Sequence, residues 1–90
     1  MDKILVNIFV PIINSSYDMF IPVSLKVYTV LELIKKSVAE MSDGRFIANE
    51  NNVLCFRGDG SIIDINLSVL ETEIKNGSRL MLIKKIKEVI

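Results

Sequence analysis

One amphipathic segment, residues 28–44, is the strongest structural signal in this sequence. Its apolar residues recur at helical spacing, and polar residues occupy the other side. Thr29 and Glu32 have the spacing of a capping box, and Gly44 is a typical helix stop. The rest of the chain has the pattern of strands, so this helix needs an apolar sheet to pack against. The predicted apolar stripe of the helix is Val30, Leu33, Ile34, Val38 and Met41.

Two segments before the helix alternate apolar and polar residues as β-strands do. They cover residues 3–12 and 17–25, and the turn residues Asn14-Ser15-Ser16 join them, which predicts a hairpin. Pro11 should end the pairing of the first strand because proline has no amide hydrogen. Pro22 favours an edge position for the second strand for the same reason.

The segments after the helix predict further strands and one capped turn. If the first and last strands pair in parallel at the centre of the sheet, the helix provides the crossover between them. The predicted fold class is α+β, with a mixed sheet of four to five strands packed on one central helix. The predicted elements are a strand at 53–57, a minimal strand at Ile62 and Ile63, a Ser68–Glu71 capping box and a last strand at 79–84.

Composition argues against several classes of function. Basic and acidic residues number 11 each, so the chain has no basic excess for nucleic acid. It has no histidine, the commonest general base and metal ligand, and a single cysteine, Cys55. Its apolar start lacks the features of a signal peptide and is too short to span a bilayer. We expect a cytoplasmic protein with no cofactor, no bound metal, no catalytic residues and no stable membrane insertion.

The C-terminal third resembles ubiquitin-like domains. Ser68-Val69-Leu70-Glu71, Ile74 and Asn76-Gly77-Ser78-Arg79-Leu80-Met81-Leu82 are similar to their capped turn, buried isoleucine and last strand, and Leu54-Cys55-Phe56-Arg57-Gly58 resembles their third strand. Tyr17-Asp18-Met19 and the Asn-Gly-x-Arg-Leu segment are similar to the small YukD/EsaB-like proteins of bacteria. The resemblance implies one β-grasp domain over residues 1–90, with a core at 3–84 and a C-terminal tail at 85–90. It also implies a cytosolic accessory role in bacterial type VII (WXG100) secretion.

The end of the chain departs from ubiquitin. Ubiquitin and the related sulfur carriers end in a Gly-Gly tail that threads into an activating enzyme, whereas this sequence ends in Val89-Ile90. We therefore expect neither conjugation nor sulfur transfer. The apolar residues of the tail, Ile86, Val89 and Ile90, are compatible with an extension of the last strand, docking on the fold or a dimer contact.

The sheet face opposite the helix, called the outer face below, is the candidate site. Strand alternation places Leu5, Phe9, Cys55, Met81 and Ile83 on this face, where neighbouring strands should make them contiguous. Soluble monomers seldom leave such a surface bare, which predicts that another protein or a second copy binds there. The alternative is that a loop or the tail covers the face. Without a histidine to act as its base, Cys55 is expected to be a packing residue rather than a nucleophile.

Overall fold

The computed structural model describes residues 2–85. Its four strands form one sheet in the order β2-β1-β4-β3, with β1 and β4 parallel at the centre and the other pairs antiparallel. One helix packs on this sheet, which confirms the predicted α+β, β-grasp arrangement. In chain order the elements are β1 (Lys3–Val10), a 3₁₀ turn (Pro11–Ile13), β2 (Ser15–Pro22), α1 (Val27–Met41), β3 (Asn52–Phe56), a second 3₁₀ turn (Val69–Glu71) and β4 (Arg79–Lys84).

Some of the predictions for the end of the chain lie outside the described residues. These are the structure of tail residues 86–90 and the prediction that the Val89-Ile90 terminus takes part in neither conjugation nor sulfur transfer. The predicted minimal strand at Ile62 and Ile63 is a single bridge between Ile62 and Cys55. Within residues 2–85, every helix is too short or too polar to cross a bilayer.

Pro11 ends the pairing of β1 with β4, as predicted. The amide of Asn7 donates to the carbonyl of Ser78 at 3.0 Å. In a parallel pair, the amides that a strand directs at one neighbour recur at every second residue. Residue 11 would be a later donor in the series, but proline has no amide hydrogen. The pairing therefore stops at Phe9 and Met81, and the chain turns away. The prediction for Pro22 is also confirmed, since it ends β2, an edge strand.

The start of α1 differs from the prediction. The helix begins at Val27, so Thr29 lies inside it and the predicted capping box is wrong. The amides of Val27 and Tyr28 donate instead to the carbonyls of Leu67 and Ile65, at 2.8 and 3.1 Å. A backbone segment from later in the chain thus accepts hydrogen bonds from the first amides of the helix, and Val27 is buried in the core.

The buried stripe of α1 is shifted as a result. Leu33 and Met41, which were predicted to be buried, are 48% and 47% exposed. Leu31 is buried instead, because it lies four residues after Val27 and so shares its face of the helix. The buried apolar residues of α1 are Val27, Val30, Leu31, Ile34 and Val38.

The predicted helix stop at Gly44 and the predicted capping box of Ser68 and Glu71 are both confirmed. Asp43 and Gly44 both have positive φ, 53° and 81°, and the amide of Gly44 donates to the carbonyl of Ala39, which closes α1. At the second 3₁₀ turn, the Glu71 carboxylate accepts hydrogen bonds from the amide and the hydroxyl of Ser68, both at 2.9 Å. These bonds hold the pKa of Glu71 below its ordinary value.

The core lies between α1 and the inner face of the sheet. Alternate strand residues supply it, as the strand pattern predicted. Phe46, in the loop after α1, is also buried, whereas its neighbour Ile47 is 80% exposed. The buried strand residues on the inner face are Val6, Ile8, Val10, Ile21, Leu54, Leu80 and Leu82.

Candidate functional site

All five predicted site residues lie on the outer face. The register sets Phe9 opposite Met81 and Met81 opposite Cys55, so these side chains form a row across three strands. Ile83 lies two residues further along β4, on the same face. Leu5 lies on β1 towards the other end of the sheet.

The five residues differ in accessibility. Leu5 is 37% exposed, whereas Phe9, Met81 and Ile83 are half-buried. Cys55 is fully buried, and its thiol lies 3.6 Å from the carbonyl oxygen of Met81. Cys55 therefore has no surface to offer a partner, and it acts here as packing beneath the face.

The chemistry of Cys55 agrees with a packing role. Burial raises the pKa of its thiol, and the negative charge of Asp59 raises it further. Since the thiolate is the nucleophile, a raised pKa leaves less of the reactive form at neutral pH.

We expect the Cys55 thiol of the folded protein to react far more slowly with a disulfide reagent at pH 8 than the thiol of the urea-unfolded chain. Burial and the raised pKa both act in this direction. The measurement is the absorbance of the released thiolate over time, with and without urea. Equal rates in the two states would contradict the burial of Cys55 in the folded protein.

Arg57 explains why Phe9 is only partly accessible. Its guanidinium lies 4.3 Å from the centroid of the Phe9 ring, in cation–π geometry. Arg79 is adjacent, since its carbonyl accepts a hydrogen bond from the amide of Arg57 at 3.0 Å. Within residues 2–85, neither arginine forms a salt bridge. The apolar row is therefore bordered by two cationic side chains.

Phe20 is not among the predicted site residues. Phe20 lies directly opposite Leu5 in the β1–β2 hairpin and is 67% exposed, the most accessible apolar side chain on the outer face. Its neighbour along that face, Asp18, accepts a hydrogen bond from the side-chain amide of Asn7 at 2.9 Å. The signal was present, because alternation already separated Phe20 from the core-facing residues of β2.

No protein-family model matches the sequence, and no curated protein matches it either. Solved structures match nearly the whole chain. The ubiquitin-like domain of the Mycobacterium tuberculosis type VII secretion system protein EccD1 has a TM-score of 0.74 at 16% identity, over 93% of this chain and 100% of that chain. The EccD5 ubiquitin-like domain from Mycobacterium xenopi has a TM-score of 0.71 at 18% identity, over 98% and 100%. The fold is that of the ubiquitin-like domains.

This ubiquitin-like fold occurs in proteins of different kinds. A chain of a toluene 4-monooxygenase HD complex also has a TM-score of 0.74, at 8% identity, over 93% of this chain and 100% of that chain. At such identities a shared fold does not carry a shared activity. The comparisons confirm the predicted β-grasp fold and the structural resemblance to type VII secretion domains, and the YukD/EsaB-like assignment stays a prediction.

Proposed function

We propose that this protein is a non-catalytic interaction module that binds a protein component of a bacterial type VII secretion system in the cytoplasm. The observation that carries the proposal is the apolar outer face. The likeness to the ubiquitin-like domains of EccD1 and EccD5 supports the choice of secretion system. A YukD/EsaB-like role as a small accessory component is the finer form of the same proposal.

Within residues 2–85, one helix packs on the sheet. Helix α1 covers the inner face, so outward side chains of the strands have no need to be apolar. Leu5 and Phe20 nevertheless face each other across the hairpin, and Phe9 and Met81 do so across β1 and β4. Covering such a surface with a partner yields about 25 cal/mol for each Å² of apolar area removed from water.

The border of the face fits protein binding. Interfaces commonly have an apolar centre and a polar rim in which arginine is enriched. Arg57 and Arg79 hold this position beside the Phe9–Met81 row. The buried thiol of Cys55, with its raised pKa, supports the non-catalytic part of the proposal.

Deletion of the gene in its native host tests the secretion role. We expect export of the small helical WXG-type proteins into the medium to fall sharply, and a plasmid copy of the wild-type gene to restore it. Immunoblots of medium and cell fractions measure the export. Unchanged export in the deletion strain would contradict the secretion role.

A further inference from the structure

A groove of about 400 Å³ lies at the end of the sheet where β1 and β4 finish and β3 begins. It shares one residue, Ile83, with the outer face, and is otherwise a separate surface. The described residues that line it are Pro11, Ile12, Arg45, Phe46, Ile47, Asn49, Asn52, Leu82, Ile83 and Lys84.

Two isoleucines of the groove are among the most exposed apolar residues of the structure. Ile12, in the first 3₁₀ turn, and Ile47, in the loop after α1, are each 80% exposed. They come from segments 35 positions apart in the sequence, yet they line one groove. Side chains so exposed contribute nothing to the core, so their apolar character is left without a role in folding.

Hydrogen bonds fix the loop that carries Ile47. The guanidinium of Arg45 donates to the hydroxyl of Ser15 at 3.0 Å, which ties the loop to the start of β2. The buried residue Phe46 donates its amide to the hydroxyl of Ser42 at 3.0 Å. Ile47 follows directly after these two anchors, so it is presented at the groove by an ordered backbone.

The charges of the groove all have one sign. Arg45 and Lys84 are cationic, and the described lining residues include no aspartate or glutamate. Two basic side chains beside an apolar wall are complementary to carboxylates placed next to apolar side chains.

We propose that this groove binds a segment of a partner protein in which one or two apolar side chains are flanked by aspartate or glutamate. The apolar side chains pack against Ile12 and Ile47, and the carboxylates lie beside Arg45 and Lys84. The concave shape favours a polypeptide over a lipid surface, because a flat bilayer would meet the two isoleucines without filling the groove. This proposal stands independently of the secretion role and of the outer face.

The test begins with selection from a random peptide library displayed on phage, with the full-length chain as bait. We expect enrichment of peptides that combine acidic and apolar residues. A synthetic copy of one such peptide, titrated into isotope-labelled protein, should shift the amide resonances of Ile12, Ile47 and Ile83. The affinity of this peptide should fall as salt is added, because salt ions screen the attraction between its carboxylates and the two basic side chains of the groove.

Two matched variants separate the groove from general effects. Ile47→Asp should weaken peptide binding at least about tenfold, as expected for an interface residue at the centre of a contact. Leu70→Asp is the control, because Leu70 is 75% exposed and its amide bonds to Val23, at the opposite end of the sheet. Circular dichroism should show both variants folded, since neither side chain belongs to the core.

Four results would overturn the proposal. The first two are a failure to enrich peptides with acidic and apolar residues, and equal peptide binding by Ile47→Asp and the wild type. The third is close contact between the Ile12 methyl groups and residues 86–90. The fourth is sedimentation of the wild-type protein with anionic lipid vesicles that is lost in Ile47→Asp. The third result would mean that the chain's own tail occupies the groove, and the fourth would mean that the groove binds a membrane surface.

Discussion

Replacement of Ile34 by alanine should lower the free energy of unfolding by about 2–5 kcal/mol, the usual cost of removing a large buried aliphatic side chain. Ile34 is 1% exposed and lies in the core cluster between α1 and the inner face of the sheet. A small domain has a total stability of about 5–15 kcal/mol, so this single change would remove a large part of it.

Leu33→Ala is the matched control. It removes the same number of carbon atoms from the adjacent helix position, but Leu33 is 48% exposed. We expect it to cost about 1 kcal/mol or less, close to the range for surface substitutions. Urea denaturation of both variants measures the two losses in the free energy of unfolding, with the same slope of free energy against urea concentration used for each variant. Equal losses would contradict the helix phase that begins at Val27.

The second large effect concerns export. Phe20→Glu should leave the protein folded but fail to restore export in the deletion strain. Phe20 is 67% exposed, so its replacement creates no cavity in the core. A carboxylate at this point removes the gain from apolar burial and adds the cost of desolvating a charge in the interface.

Leu33→Glu serves as the control for this experiment. It also places a carboxylate at an exposed leucine, but on α1, which lies on the opposite face of the sheet from Phe20. We expect it to restore export fully. Restoration of export by both variants would contradict partner binding through the outer face. Unfolding of Phe20→Glu would mean that another segment of this chain covers the outer face.

Ile83→Asp probes the other end of the outer face. Ile83 also lines the groove, so loss of association in this variant would not distinguish the two surfaces. Phe20 belongs to the outer face alone, which makes it the better position for a decisive substitution.

The strands could be predicted from the sequence because their signals are local. Alternation assigns a side chain to one of two faces, and a wrong register would turn the whole apolar set towards water. The role of Pro11 follows from its missing amide hydrogen and needs no tertiary information. The Ser68–Glu71 cap likewise depends on residues that are three positions apart.

The phase of α1 could not be predicted in this way. Leu31 and Leu33 are both compatible with a helical repeat, and the choice depends on where the helix begins. That start is fixed by the carbonyls of Ile65 and Leu67, which lie 38 and 40 positions after Val27. Local pattern favoured Thr29 as a cap, and a long-range backbone contact overrode it.

The sequence predicts which residues of the candidate site share a face of the sheet, but not how deeply each side chain is buried or which side chains contact it. Alternation placed Cys55 on the outer face, but it carries no information on what lies above the thiol, which is fully buried. The position of Arg57 over the Phe9 ring is a tertiary contact between β1 and the end of β3. Exposure at Ile12 and Ile47 likewise depends on how the loops fold back, which composition does not determine.

Site-specific photocrosslinking at position 20 tests partner binding through the outer face most directly. A photoreactive phenylalanine analogue replaces Phe20 in the native host, cells are irradiated, and adducts are identified by mass spectrometry. We expect a discrete adduct with a component of the secretion apparatus, and none when the analogue occupies position 33 on α1. Absence of an adduct at position 20, the same adducts at both positions, or an adduct formed only with a second copy of this chain would contradict the proposed function, and the last would identify a self-associating subunit.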